Sequence, residues 1–219
     1  LARTLSLWQN FMKTGIPDFK IAEIIVADDG SNDSTAKVAE SFRDKLPVEI
    51  IKISLNQGKG FAVRTGVKKA SGDLILIYDA DAAVLPEEIS KLIFYEKDYD
   101  IVIGSRAIKG AVVKMSFLRR FIGFCFHILC YPLIPGVKDA SCGAKLFKAE
   151  AAKIIFGLQK IDRFAYDIEI LWLAKKMNFR IKEAGLKWQE IPGSKVKIFK
   201  DGFEMFFSVL GLYKRHLLG

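Results

Sequence analysis

Short apolar runs alternate with polar, helix-period stretches through the first half of the chain. Ile21–Ala27 (IAEIIVA) is apolar and ends at Asp28-Asp29-Gly30-Ser31, so it reads as a buried strand running into a turn. Ser31 to Ser34 then offers helix N-caps, and Ala36, Val38, Ala39 and Phe42 follow near helical spacing. Val48–Ser54 is a second strand, GKGFAVRTGVKKA opens a helix near Gly60, and Asp73–Asp79 (DLILIYD) is a strongly apolar third strand. PEEISKLIFYE begins a helix with Pro86 at its first position and two acids in its first turn. Tyr99–Ser105 is a further strand. This alternation predicts an α/β fold: a mostly parallel sheet with helices on both faces.

The second half has a different rhythm. Ile101 to Lys138 contains no Asp or Glu but carries Arg106, Lys109, Lys114, Arg119, Arg120 and Lys138. Inside it, Phe121–Ile134 (FIGFCFHILCYPLI) is uncharged and follows the basic approach SFLRR. As a helix it would be about 21 Å long, short of a bilayer core of about 30 Å, and Pro132 and Pro135 stop it. A short apolar helix with a basic approach suits a membrane interface; a buried core helix is the alternative. Phe203–Tyr213 repeats the pattern ahead of Lys214, Arg215 and His216. Helical patterns also cover Glu150–Phe156 and Ala165–Met177, and Arg180–Ile191 alternates in part as a strand. Neither a signal peptide nor a spanning segment is expected. Because the chain opens at Leu1 rather than Met, further native residues upstream are expected.

Composition narrows the classes. With 219 residues, the chain fits one large α/β domain. A hydrophobic content of 51% excludes a disordered chain. Three Cys, an odd number, argue against a disulfide scaffold, and two distant His argue against a zinc site. The net charge of +9 points to nucleic acid, an anionic membrane or phosphorylated small molecules. Nucleic acid is the weakest of these, because the aromatic residues cluster in apolar runs instead of alternating with cations.

Ligands of parallel sheets bind beyond the carboxyl ends of the strands. Three such ends carry Asp28-Asp29-Gly30-Ser31, Asp79-Ala80-Asp81 and Gly104-Ser105-Arg106. Taken singly, each reads best as a turn. Together, four carboxylates at neighbouring edges repel unless a cation enters, and Mg²⁺ or Mn²⁺ held with substrate phosphate oxygens would resolve this. Gly58–Arg64 has neither the dinucleotide fingerprint nor P-loop spacing, and no serine elbow or Cys–His pair is evident.

In their order and spacing, VADDGSNDST, NQGKGFAVRTGVKKASGD, LILIYDADA and IVIGSR resemble the family 2 glycosyltransferases of GT-A fold. DASCGAKLFKAEAA, RFAYDIEILWLAKK and KWQEIPGSK are similar to the polyprenyl-phosphate sugar transferases, in particular the dolichyl-phosphate glucosyltransferase branch, kin of the mannose synthases. The resemblance runs from about Ile21 to Arg215. It implies one Rossmann-like GT-A domain over residues 1–219, with a nucleotide-sugar half to about 106 and an acceptor and membrane-facing half from about 107. It implies metal-dependent, inverting transfer of a hexose from a nucleotide sugar, UDP-glucose or GDP-mannose, to dolichyl or another polyprenyl phosphate. The setting would be the cytoplasmic face of a membrane, that of the endoplasmic reticulum in a eukaryote or the plasma membrane in a prokaryote, with no nucleic-acid partner.

The resemblance also implies site residues. Asp28 and Asp29 would contact base and ribose, with Gly30, Ser31, Asn56, Lys59 and Gly60 completing the nucleotide-sugar site. Asp79 would lie near ribose and metal, and Asp81 would ligate Mg²⁺ or Mn²⁺. Arg106, Arg119, Arg120 and Lys195, with backbone donors at Ser141, Cys142 and Gly143, are the candidates for the acceptor phosphate; Arg106 joins Asp79 and Asp81 as a catalytic candidate. A phosphate nucleophile is already ionised and needs no strong base, although Asp167 or Glu169 could serve as one. The chain departs from the pattern twice. A first strand ahead of the opening helix is expected to be missing, and Ala83 stands where mannose synthases often carry a further polar ligand. A mannosyltransferase and a membrane-bound scaffold without activity are the alternatives.

Overall fold

The computed structural model describes residues 1–191 and 198–218, with the side chains of all of these except 118, 119, 198–201 and 218. The opening helix α1 (Ala2–Thr14) buries Thr4, Leu5, Trp8 and Phe11 along one face and ends at Gly15, whose φ of 67° is left-handed. Strand β1 (Ile24–Asp29) pairs in parallel with β2 (Val48–Ile53), Ile24 opposite Val48, and the short helix α2 (Thr35–Glu40) joins them. Helix α3 (Lys59–Lys69) packs on β1 and leads to β3 (Leu74–Tyr78). The expected helix after Pro86 is a 3₁₀ turn, Pro86–Ile89, running into the single-turn α4 (Ser90–Ile93) before β4 (Ile101–Ser105).

The later elements are β5 (Val112–Lys114), α5 (Phe117–Cys130), β6 (Ala144–Lys148), α6 (Ala149–Leu158), α7 (Tyr166–Lys176), β7 (Ile181–Gly185), β8 (Lys187–Gln189) and α8 (Ile198–Leu218). The stretch expected as one strand over Arg180–Ile191 is two, since β7 pairs with β4 and β8 with β5. Helix α5 ends ahead of Pro132, as its sequence requires.

Strand β6 is the element that the alternation did not announce. It runs antiparallel between β3 and β4, so that the order in the larger sheet is β3-β6-β4-β7. Among the described residues the other three ladders are parallel. Among the described residues β1 pairs with β2 alone and β3 with β6 alone, so no ladder joins the β1-β2 sheet to the larger one. Side chains stitch them instead: the Glu23 carboxylate accepts from the N–H and hydroxyl of Ser71, and Thr4 Oγ1 donates to the Ala80 carbonyl at 2.6 Å. The first element described is α1.

The largest core cluster joins both halves of the chain. Ile75, Ile77, Ile101, Ile103 and Phe147 of the sheet meet Phe156 of α6 and seven residues of α7, Tyr166, Ile168 and Ile170 to Ala174. Each large apolar side chain buried there contributes about 1.5–3 kcal/mol. The last residue of α5, Cys130, and Val209 and Leu212 within α8 reach the same cluster.

Candidate active site

The edge formed by the carboxyl ends of β1, β3 and β4 collects most of the residues expected there. At β1, Asp28 Oδ1 accepts the Ser31 N–H at 3.0 Å and closes the turn through Gly30, whose φ is 69°. A Cβ on Gly30 would lie 2.9 Å from the Asn56 nitrogen, so the turn needs glycine for conformation and for space. Asp29 is committed to the neighbouring loop: Oδ1 accepts from Gln57 N at 2.8 Å, Oδ2 from Gly58 N at 2.7 Å, and Asn56 Nδ2 donates to the Asp29 carbonyl at 3.0 Å. Its carboxylate thus builds the loop that precedes α3.

Lys59, the first residue of α3, points across to β3. Its Nζ lies 2.7 Å from Asp79 Oδ1 and 5.9 Å from the centre of the Tyr166 ring. Burial works against its charge, but Tyr166, Asp79 and Asp167 outweigh that and hold the ammonium well above the ordinary lysine value. Burial and the Asp167 carboxylate push the Tyr166 phenol up.

The turn after β3 is held on all sides. Asp79 N–H donates to the Gly143 carbonyl at 3.0 Å, Gln189 N–H to the Ala83 carbonyl at 3.0 Å, and Tyr78 OH to the Val84 carbonyl. A Cβ on Gly143 would fall inside the Asp79 carboxylate, so the residue just before β6 is glycine where that carboxylate rests. Ala82 is buried with a φ of 57°, a left-handed conformation that costs a non-glycine residue about 1–3 kcal/mol. The two aspartates are therefore not equivalent. Asp79 is clamped by Lys59 and Gly143, whereas Asp81 is exposed and spends Oδ1 on the Ala83 N–H of its own turn.

Arg106, beyond β4, belongs to the same edge, since β3 and β4 both run antiparallel to β6 and end beside its first residues, Tyr78 opposite Ala144 and Ile103 opposite Lys145. It is held by Asp139: main-chain N–H and Nε donate to Oδ2 at 2.8 and 2.7 Å, Nη2 donates to Oδ1 at 2.8 Å, and the guanidinium lies 5.2 Å from the Trp188 ring centre. Burial pushes the Asp139 carboxyl up, but Arg106 overrides it and holds it below the usual range. Asp139 also accepts from Ser141 N–H at 3.3 Å, so that expected backbone donor is turned inward. Arg120 is exposed on α5; the Arg119 side chain and Lys195 lie outside the described residues.

Neither candidate base stands free. Asp167 Oδ1 is 2.6 Å from Nζ of Lys145, a lysine 1% exposed in β6, which also donates to the Cys142 carbonyl at 2.6 Å. Glu169 is fully buried and ion-paired with Arg215. Lys145, Asp139 and Tyr166 were missed as site residues. The signal for Lys145 was a charge inside the apolar run Ala144–Phe147, which has to find a buried partner.

Among the described residues no group of three or more His, Cys, Asp or Glu could hold a metal by itself. Two carboxylates at one turn, completed by substrate oxygens and water, nevertheless match what Mg²⁺ and Mn²⁺ accept.

Residues 4–156 match the model of the family described as glycosyl transferase family 2, and the chain belongs to this family. A dolichyl-phosphate beta-glucosyltransferase of Dictyostelium discoideum is 40% identical over 209 residues, covering 90% of this chain and 64% of the relative. Its namesakes in Mus musculus and Homo sapiens are 37% and 36% identical, each over 90% of this chain and 65% of the relative. The chain thus spans a little under two thirds of the length of these relatives. Glucosyl-3-phosphoglycerate synthase from Mycobacterium tuberculosis, solved with Mn²⁺, uridine-diphosphate and glucosyl-3-phosphoglycerate, superposes with a TM-score of 0.71 at 15% identity over 95% of this chain and 74% of that one. Mannosyl-3-phosphoglycerate synthase from Rubrobacter xylanophilus gives 0.62 at 18% identity over 99% of this chain and 70% of that one. The fold is GT-A, a Rossmann-like α/β arrangement.

Proposed function

We propose that this protein transfers glucose from UDP-glucose to dolichyl phosphate at a membrane surface, with Mg²⁺ or Mn²⁺. The observation that carries the reading is the gathering of Lys59, Asp79, Asp81 and Arg106 at one sheet edge, in a chain whose relatives bear the name dolichyl-phosphate beta-glucosyltransferase.

The roles follow from the geometry. The exposed Asp81 would hold the cation together with diphosphate oxygens, and the clamped Asp79 would fix the neighbouring part of the donor. When bound there, the cation would supply Lewis-acid neutralisation of the leaving diphosphate. Arg106, with Nε and Nη2 committed to Asp139, would offer its remaining donors to the acceptor phosphate from a preset orientation. An ionised phosphate oxygen of the acceptor forms the new bond to the anomeric carbon while the bond to the diphosphate breaks. Attack from the opposite face inverts that centre and releases UDP. No base is required, in keeping with the pairing of Asp167 and Glu169 in buried ion pairs.

The surface supports the membrane setting. On α5, Phe117, Phe121, Phe124 and Ile128 are exposed at intervals of four, three and four residues, forming a stripe on its outer face, with Phe117 84% exposed. Exposed Phe203, Phe206, Phe207 and Leu210 do the same on α8. A core-helix reading of α5 does not accommodate these residues. Among the described residues no helix is long and apolar enough to cross a membrane, so both stripes suit the interface.

The test is a donor screen with dolichyl phosphate in vesicles. Glucose transfer from UDP-glucose is expected, with none from GDP-mannose, and Asp81→Ala should abolish it while the melting temperature stays within about 2 °C. Transfer from GDP-mannose in preference, or full turnover in the Asp81 variant, would overturn the reading.

A further inference from the structure

Helix α8 carries an outward apolar stripe, yet its inner face is tied to the loop that seats Lys59. Arg215 Nη2 lies 2.6 Å from Glu169 Oε1, an ion pair without the alignment of a hydrogen bond, and its guanidinium is 5.6 Å from the Trp172 ring centre. The other Glu169 oxygen accepts the N–H groups of Lys160 and Ile161 at 3.0 and 2.6 Å. A second tie runs from Glu204 of α8 to Arg163, 3.4 Å away. These contacts hold a strap, residues 159–163, from the side of α8.

The opposite side of the strap presses on the start of α3. Gln159 Nε2 donates to the Gly60 carbonyl at 3.0 Å, Phe61 N–H donates to the Asp162 carbonyl at 2.9 Å, and Arg64 Nη1 donates to the Gln159 carbonyl at 3.1 Å. The approach is backbone to backbone: a Cβ on Gly58 would sit 2.5 Å from the Asp162 carbonyl oxygen, and one on Gly60 2.6 Å from that of Ile161. Lys59 stands between these glycines, and its Nζ grips Asp79.

A wholly buried carboxylate is costly, and an apolar side chain would pack α7 at least as well. What Glu169 supplies, and an apolar residue could not, is an acceptor for two strap N–H groups with a counter-ion on α8. We propose that Glu169 and Arg215 are a positioning pair: they fix the strap so that Lys59 meets Asp79, and donor binding depends on them although neither touches the donor. This rests on the reading of Lys59 and Asp79 as donor-site residues.

The test measures amide hydrogen exchange and UDP affinity, with Mn²⁺, on the whole protein. Glu169→Gln and Arg215→Met should speed exchange at Lys160 and Ile161 and, through the strap, at Phe61, by about tenfold or more. UDP affinity should fall about threefold or more, with Arg215→Lys, which keeps the charge, restoring most of it. Tyr213→Phe removes another tie of α8, the hydroxyl donated to the Leu129 carbonyl at 2.6 Å, and should leave Phe61 exchange and UDP affinity unchanged. Faster exchange confined to Lys160 and Ile161, with affinity unchanged, would reduce the pair to a packing role and overturn the proposal. Equal effects from Tyr213→Phe would overturn it too, by showing general loosening. If the unaltered protein bound no UDP, the donor-site reading would fall, and Phe61 exchange in the variants would still decide whether the pair sets the strap.

Discussion

Asp139→Asn isolates what holds Arg106 in place. Asp139 is 8% exposed and accepts three hydrogen bonds from Arg106, two on Oδ2 and one on Oδ1. Asparagine keeps the shape but can offer acceptor oxygen on one side alone. With that oxygen toward the main-chain N–H and Nε, its amide nitrogen faces Nη2, donor against donor, and the guanidinium loses its counter-charge. Breaking a buried pair by neutralising one partner costs about 3–5 kcal/mol. The Arg106 side chain is 23% exposed and recovers some hydration, so a loss of about 3 kcal/mol is expected, a large share of the 5–15 kcal/mol typical of a domain. Urea unfolding at pH 7 measures it, with an unchanged slope as the sign that both variants unfold alike. The pH dependence gives a second check. Because Arg106 depresses the Asp139 carboxyl, its contribution is complete above the ordinary aspartate value of about 3.9 and is lost as pH falls through the lower folded value. The gap between wild type and Asp139→Asn should therefore be widest near neutrality and narrow below about pH 4. A loss under about 1 kcal/mol, the value of an exposed pair, or a gap that widens in acid, would refute the reasoning.

Gly143→Ala should cut turnover about tenfold or more while costing about 1–3 kcal/mol of stability, since the new methyl displaces the Asp79 carboxylate; wild-type kinetics would show that this carboxylate does not need its place. Thiol titration of the native protein at pH 8 should label Cys125 fast and the other two slowly, because burial pushes Cys142 up to about 11 and Cys130 up to about 12; two fast thiols would contradict this. Phe121→Asp with Phe124→Asp should abolish flotation with anionic vesicles, the two rings being exposed on α5; undiminished flotation would remove α5 from the interface.

The elements legible in the sequence were those with local causes. The runs ending at Asp28, Asp79 and Ser105 are β1, β3 and β4, each within a few residues of its expected bounds. The apolar segment before Pro132 is a helix. What escaped depends on partners distant in the chain. Nothing near Ala144–Lys148 says that it slots antiparallel between two strands made earlier. The strand ends show in the sequence, but the hydrogen-bond partners of their side chains do not. Asp29 looked like a ligand-binding carboxylate and is committed to Gln57 and Gly58. Arg106 reads as a phosphate-binding cation at a strand end, and its partner Asp139, 33 residues away, does not show in the local pattern. Polar residue types reveal that a group needs a partner, not which partner the fold provides.

The place of β6 in the sheet has a consequence for how the molecule comes into being. Strands β3 and β4 are finished by Ser105, yet the strand that joins them begins at Ala144, and its ladder reaches from Lys148 back to Leu74. A chain emerging from the ribosome therefore carries two apolar strands with unsatisfied edges until the segment between them has been made. Assembly from such distant pairs is slow, and a product cut short before Lys148 leaves Ile75, Ile77, Ile101 and Ile103 without their cover. Strand order thus knits the two halves of the domain into one sheet, because a strand from beyond residue 106 fills the gap between two strands made before it.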